Sequence, residues 1–167
     1  MRYYKKLYYV GMYGGKFFPL HMGHKFCIDV GSVECNKLYV ILFYGGDDEI
    51  RILQNRNDDS LSPLIRVDRL MQLARQYTNV YPIAIDVSNC KLPDGTEDWD
   101  AETPLVLNAI GKMDVVYSSE PKYDDYFRRA YPWAEHTVID PPRTFYPISA
   151  TMIRNMTNIE EIKKWKI

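Results

Sequence analysis

Leu7-Tyr8-Tyr9-Val10-Gly11-Met12-Tyr13-Gly14-Gly15-Lys16-Phe17-Phe18-Pro19-Leu20-His21-Met22-Gly23-His24 is the stretch around which the chain is organised. Leu7 to Met12 is a continuous apolar and aromatic run, the pattern of a strand buried on both faces in a parallel sheet. Paired glycines follow, and His21 and His24 then fall three apart at the start of a helix-like segment, which puts them on one helical face. A helix N-terminus carries unpaired N–H groups and the positive end of the macrodipole, so two imidazoles there border a natural anion site. Gly15 and Gly23 allow close backbone approach, and Pro19 stiffens the turn between them. The whole stretch reads as a phosphate cradle at the end of a strand.

The same alternation continues to the end of the chain. Phe26, Val30 and Val33 form the apolar stripe of a first helix reaching about Cys35, and Leu38 to Tyr44 is a second buried strand closed by Gly45-Gly46. Gly46 to Ser62 reads as a long loop. Ser62-Pro63 starts a second helix, with Leu64, Val67, Met71 and Ala74 as its stripe and Arg66 and Arg69 off it, either reaching a phosphate or forming a solvated face. Val80 to Val87 is the third strand, with Pro82 placing it late or near an edge. After a turn at Lys91 to Thr96, Trp99 stands among acids in Glu97-Asp98-Trp99-Asp100, either a ring-stacking platform or a half-buried anchor. A helix over Thr103 to Ile110, a strand over Met113 to Tyr117, a helix with Tyr123, Phe127 and Ala130, and a last strand over Glu135 to Ile139 follow. His136 reads as structural. Ser149 is placed to cap a helix carrying Thr151 and Arg154, whose hydroxyl, N–H groups and guanidinium suit phosphate oxygens, and Ile159, Ile162 and Trp165 mark a final amphipathic helix.

Five strand-like runs alternating with helices imply an α/β protein with a Rossmann-like doubly wound parallel sheet, helices on both faces. At 167 residues and 46% hydrophobic content, residues 1–167 are expected to form a single domain. The formal charge of -1 gives no electrostatic case for nucleic acid or a membrane, and the opening Met1 to Lys6 leads into neither a signal peptide nor a spanning helix, so a cytoplasmic protein is expected. The three cysteines, Cys27, Cys35 and Cys90, are odd in number and show no CxxC, which fits core thiols. If Cys27 and Cys35 shared one helix they would lie about 12 Å apart, too far to bridge.

Gly15-x-Phe17-x-Pro19-x-His21-x-Gly23-His24 resembles the GxFxPxHxGH signature of the nucleotidyltransferase superfamily, and Ile148-Ser149-x-Thr151-x-x-Arg154 is similar to the ISxTxxR signature that accompanies it in adenylyltransferases making dinucleotide cofactors. The two motifs stand at opposite ends of the chain. Together with Ser118-Ser119-Glu120-Pro121 and Asp140-Pro141-Pro142-Arg143-Thr144, the combination most resembles the nicotinamide mononucleotide adenylyltransferase domain of NadR-type proteins. The resemblance implies transfer of AMP from ATP to nicotinamide mononucleotide, giving NAD and pyrophosphate. It implies Gly15, Lys16, Phe17, His21, Gly23, His24, Ser149, Thr151 and Arg154 at the ATP, with His21, His24, Lys16 and Arg154 acting on the reaction. Trp99, Tyr44 and Glu120 are the acceptor-binding candidates. Mg²⁺ is expected on phosphate oxygens and water, since no acidic cluster in the sequence calls for a protein-held metal. A homo-oligomer is compatible with such a chain. No GxxxxGK[ST] loop and no helix-turn-helix segment are present, so neither the kinase activity nor the operator binding that can accompany this domain is expected. The alternatives are another transferase with these histidines, of cytidylyltransferase or pantetheine-phosphate adenylyltransferase type, or a non-catalytic nucleotide sensor. A class I aminoacyl-tRNA synthetase is set aside for length and for want of a KMSKS-like loop.

Overall fold

The computed structural model describes residues 5–167; the opening Met1-Arg2-Tyr3-Tyr4 lies outside the described residues. Five strands, β1 (Tyr8–Gly15), β2 (Cys35–Tyr44), β3 (Val80–Asp86), β4 (Val115–Ser118) and β5 (Glu135–Val138), form one sheet in the order β3-β2-β1-β4-β5. Every pairing is parallel. Strand order reverses between β1 and β4, and a ligand of an open α/β sheet binds beyond the carboxyl ends of the strands at that switch point.

Among the described residues, seven α-helices connect and flank the strands: α1 (Met22–Glu34), α2 (Asp47–Gln54), α3 (Pro63–Ala74), α4 (Trp99–Ile110), α5 (Asp124–Ala130), α6 (Ala150–Arg154) and α7 (Ile159–Trp165). Alternate strand residues feed two cores. Tyr13, Val40, Leu42 and Tyr117 pack with Cys27 and Ile28 of α1 and Leu70 and Leu73 of α3, whereas Met12, Ile41 and Val116 pack with Val106 of α4 and Ala130 of α5. The sheet is therefore covered on both faces, which is why its strands read as unbroken apolar runs. Among the described residues no helix is long and apolar enough to cross a membrane.

Several local expectations need correction. β1 runs on through Gly14 and Gly15, so these glycines finish a strand rather than form a loop. Their use is clearance: a Cβ on Gly14 would stand 2.7 Å from the Phe43 ring and one on Gly15 3.1 Å from the Phe17 ring. The expected loop after β2 contains α2, whose first turn carries Asp47, Asp48 and Glu49 at the positive end of its dipole. α4 starts at Trp99, four residues before the expected Thr103, because Asp98 caps it by accepting from the Ala101 N–H at 3.3 Å. The stripe of α3 is Arg66, Leu70, Leu73 and Ala74, leaving Leu64 80% exposed. In α1, Val33 is likewise exposed while Cys27, Ile28 and Gly31 face the sheet; a Cβ on Gly31 would meet Leu38 at 2.9 Å, so the helix packs through its small residues. Pro82 lies in β3, an edge strand, as its missing N–H requires. Cys27 lies in α1 and Cys35 opens β2, so they do not share a helix; both, with Cys90, are buried free thiols.

Candidate active site

The two histidines build the start of α1 themselves. His21 is the N-cap residue, extended at φ -145°, and its Nδ1 accepts the Gly23 N–H at 3.0 Å; in return the His21 N–H donates to Nδ1 of His24 at 3.2 Å. This is the reciprocal geometry of a capping box, made here from two imidazoles. Each Nδ1 is an acceptor and therefore carries no proton, so the neutral ring must carry it on Nε2. The rings stack at 3.7 Å between centroids, and Phe17 meets His24 edge-on at 4.9 Å. Burial, with the Arg143 charge added, pushes His21 down to about 4. His24 is lowered as well, by burial first and then by His21 and Arg143. Two neutral N–H donors thus stand at the cleft. Gly23 is required by the His21 ring, which a Cβ there would approach to 2.9 Å.

A buried framework holds the cradle. Arg66, 1% exposed, donates to the Lys16 carbonyl at 2.7 Å and the Leu61 carbonyl at 2.9 Å and pairs with Glu49, which is buried to the same extent. Burial lowers the Arg66 guanidinium to about 10. Arg66 therefore neither reaches solvent nor faces the cleft, and Arg69 is also occupied, donating to the Ile167 carbonyl at 3.2 Å. On the far side Arg154 donates to the Phe18 carbonyl at 2.7 Å and to Thr151 Oγ1 at 3.2 Å, while Ser149 caps α6 by accepting from the Met152 N–H. Phe18 lies between the Arg66 and Arg154 guanidinium groups, each 4.9 Å from its ring. Arg56 donates to the Arg154 carbonyl at 2.6 Å, bringing a further cation to this wall.

Lys16, Phe18, His21, His24, Arg56 and Arg154 line one cleft of about 1100 Å³ beyond the carboxyl ends of β1 and β4. Its opposite wall is α4 and what precedes it. Lys16 pairs with Glu97 Oε1 at 2.9 Å, and Glu97 Oε2 accepts from Trp99 Nε1 at 3.2 Å. Trp99 is half-buried, edge-on to Tyr123 at 4.8 Å and Tyr126 at 5.2 Å. Glu102, one helical turn on, is 9% exposed and lines the cleft; burial pushes it up to about 7. Arg143 donates to Glu120 Oε1 at 2.9 Å and to the Ile148 carbonyl at 2.6 Å, linking the loop after β4 to the entry of α6. Among the described residues no group of three or more His, Cys, Asp or Glu is placed to hold a metal ion.

No family model matches the chain. Over 155 residues it is 29% identical to the trifunctional NAD biosynthesis/regulator protein NadR of Escherichia coli strain K12, an alignment covering 87% of this chain and 36% of that protein. Its backbone matches that of a NadR protein solved in complex with NAD and AMP-PNP, with a TM-score of 0.67 at 22% identity over 97% of this chain and 46% of that one. The chain is similar to part of NadR and shares the fold of that solved NadR protein. A bifunctional NMN adenylyltransferase/ADP ribose pyrophosphatase of Francisella tularensis, complexed with AMP and a manganese ion, shares that fold at a TM-score of 0.60 and 14% identity, over 95% of this chain and 44% of the other. The chain thus spans about a third of the length of its curated NadR relative.

Within this fold, Gly15, Lys16, Phe17, His21, Gly23, His24, Ser149, Thr151 and Arg154 all line the same cleft, as do Trp99 and Glu120. Tyr44 does not. Side chains alternate along β2, so Phe43 faces the cleft and Tyr44 packs against the α1 and α3 core. The carboxylates expected beside Trp99 are also displaced: Asp98 is spent as the cap, and Asp100 pairs with Arg129 at 3.0 Å. Glu97 and Glu102 stand in the cleft instead. The sequence reading missed them as site residues along with Arg56, and noted Arg143 only within a motif string; a capped α4 starting at Trp99 would have exposed Glu102, three residues on, as sharing its face. His136 is structural as expected, bonded to Asp124 at 2.8 Å and Ser118 at 2.7 Å.

Proposed function

We propose that the protein is a nicotinamide-nucleotide adenylyltransferase, moving AMP from ATP to nicotinamide mononucleotide to give NAD and pyrophosphate. The observation that carries the reading is the histidine capping box, which leaves two neutral Nε2–H donors and a helix N-terminus at a cleft on the switch point of the sheet. Homology to NadR supports the choice of reaction. The attacking 5′-phosphate has a second ionisation near pH 6, so it is largely dianionic at neutrality and needs no general base. His21, His24 and Arg154 hydrogen-bond the oxygens of the α-phosphate as charge builds in the in-line transition state. Lys16 exchanges Glu97 for the leaving pyrophosphate. Trp99 offers its face to the pyridinium ring of the acceptor.

The cationic and N–H donors of the phosphate wall fit phosphate oxygens rather than a metal, so we assign Mg²⁺ to the substrate MgATP. Bound there it offsets charge on the leaving pyrophosphate. The manganese ion bound with AMP in the Francisella protein supports divalent-metal use.

A turnover screen of ATP and CTP against nicotinamide mononucleotide, nicotinate mononucleotide and phosphopantetheine tests this. Pyrophosphate and a dinucleotide are expected from ATP and a pyridine mononucleotide: NAD from nicotinamide mononucleotide, and its nicotinate counterpart from nicotinate mononucleotide. Faster turnover of CTP, or of phosphopantetheine, overturns the assignment in favour of the corresponding transferase, and nucleotide binding without turnover favours a sensor.

A further inference from the structure

Buried polar side chains in native proteins are almost always hydrogen-bonded, so one that is not asks for an explanation. Glu102 has no partner among the described residues, and its carboxylate opens onto the cleft. It is nine-tenths buried on the cleft wall, three residues beyond Trp99 on the same face of α4, and it makes neither an ion pair nor a hydrogen bond with a described residue, so its oxygens are left for whatever fills the cleft. The nearest cation, Lys16, is held by Glu97.

Building on the adenylyltransferase reading, we propose that Glu102 selects the ring substituent of the acceptor: as a carboxylate it accepts from the carboxamide of nicotinamide mononucleotide, and as a neutral acid it donates to the carboxylate of nicotinate mononucleotide. Acceptor choice then turns with pH. A carboxylate facing a carboxylate is repelled, whereas either complementary pair is hydrogen-bonded.

The groups around Glu102 leave it as the switch. Lys16 approaches from the end of β1, Glu97 and Asp98 precede α4, Cys90 follows β3, and Tyr126 and Tyr131 come from α5 and the turn after it. Burial pushes Cys90, Tyr126 and Tyr131 upward, away from neutrality, and holds His21 down at about 4. Glu102, raised to about 7, changes charge at neutral pH. The 5′-phosphate also titrates near there, but both mononucleotides carry it, so it cancels from their ratio.

The test is kcat/KM for the two mononucleotides with MgATP from about pH 6 to 8, in the wild type and Glu102→Gln. If each substrate requires one form of Glu102, the ratio of nicotinamide to nicotinate turnover rises by up to about tenfold per pH unit. In Glu102→Gln, whose amide both donates and accepts at every pH, the ratio goes flat and nicotinate use rises above the wild type at pH 8. A flat wild-type ratio, or a slope that survives in the variant, overturns the assignment to Glu102 while turnover itself keeps the transferase reading. Where Glu102→Gln fails to fold, the wild-type slope alone decides. A chain that adenylylates neither mononucleotide overturns both.

Discussion

His24 does two things with one ring, accepting a backbone N–H on Nδ1 and offering Nε2–H to the cleft. His24→Ala therefore loses about 10²-fold or more in kcat through the missing donor, and about 1 kcal/mol of stability through the opened cap. Steady-state kinetics beside thermal melts separate the two effects. Near-normal turnover in a folded variant removes His24 from the chemistry. Trp99→Ala is expected to raise KM for the mononucleotide by about 2- to 30-fold, the equivalent of a cation–π contact of roughly 0.5 to 2 kcal/mol. KM for ATP should barely change, and Trp99→Phe should fall between. Equal weakening of both substrates would make Trp99 an anchor for Tyr123 and Tyr126 instead.

At the scale of elements, two guanidinium groups fix the cradle to its surroundings. Arg66 ties α3 and, through Glu49, α2 to the carbonyl of Lys16; Arg154 ties α6 to the carbonyl of Phe18. Arg66→Met leaves Glu49 buried and unpaired, which costs about 3 to 5 kcal/mol. Adding Glu49→Leu should recover much of that loss, a result readable by urea denaturation; the same midpoint for single and double variants would mean that the pair is not coupled. Arg154→Ala should lose activity and Arg154→Lys retain part of it, because lysine keeps the charge but not the fork that reaches both Phe18 and Thr151. Wild-type rates in both would reduce α6 to an ordinary capped helix.

Over the whole molecule, the cleft gathers charges of both signs from distant elements, Arg56, Arg143 and Arg154 among the cations and Glu97 and Glu102 among the acids. The buried titratable groups leave a signature in stability. His21, lowered to about 4, is protonated in the unfolded chain before it is in the folded one, so its contribution is lost as pH falls from about 6.5 toward 4. Glu102, raised to about 7, acts in the opposite sense: its contribution is present at low pH and is lost as pH rises from about 4.5 through 7. Glu102→Gln removes only the second effect. Its melting temperature should therefore gain on the wild type as pH rises through that window, at roughly 2 to 4 °C per kcal/mol, and hold the gain above it. A difference independent of pH would mean that Glu102 ionises in the folded protein as it does in the unfolded one.

Fold class and the histidine turn that opens α1 were legible in the sequence because both are local. A strand buried on two faces is an apolar run wherever its partners lie, and Gly15, His21, Gly23, His24, Ser149 and Arg154 carry their spacing with them. Burial and partnership depend on what packs opposite, and that only the tertiary structure decided. Arg66 reaches a carbonyl 50 residues away and Arg154 one 136 residues away, so neither role can be read from its neighbours. Which of Phe43 and Tyr44 faces the cleft is a matter of strand parity, since one residue flips the side chain to the other face. Glu102 looks like a solvated acid of a helix's first turn; burial on the cleft wall, with the Glu97 charge added and only partly offset by Lys16, is what lifts its ionisation to about 7.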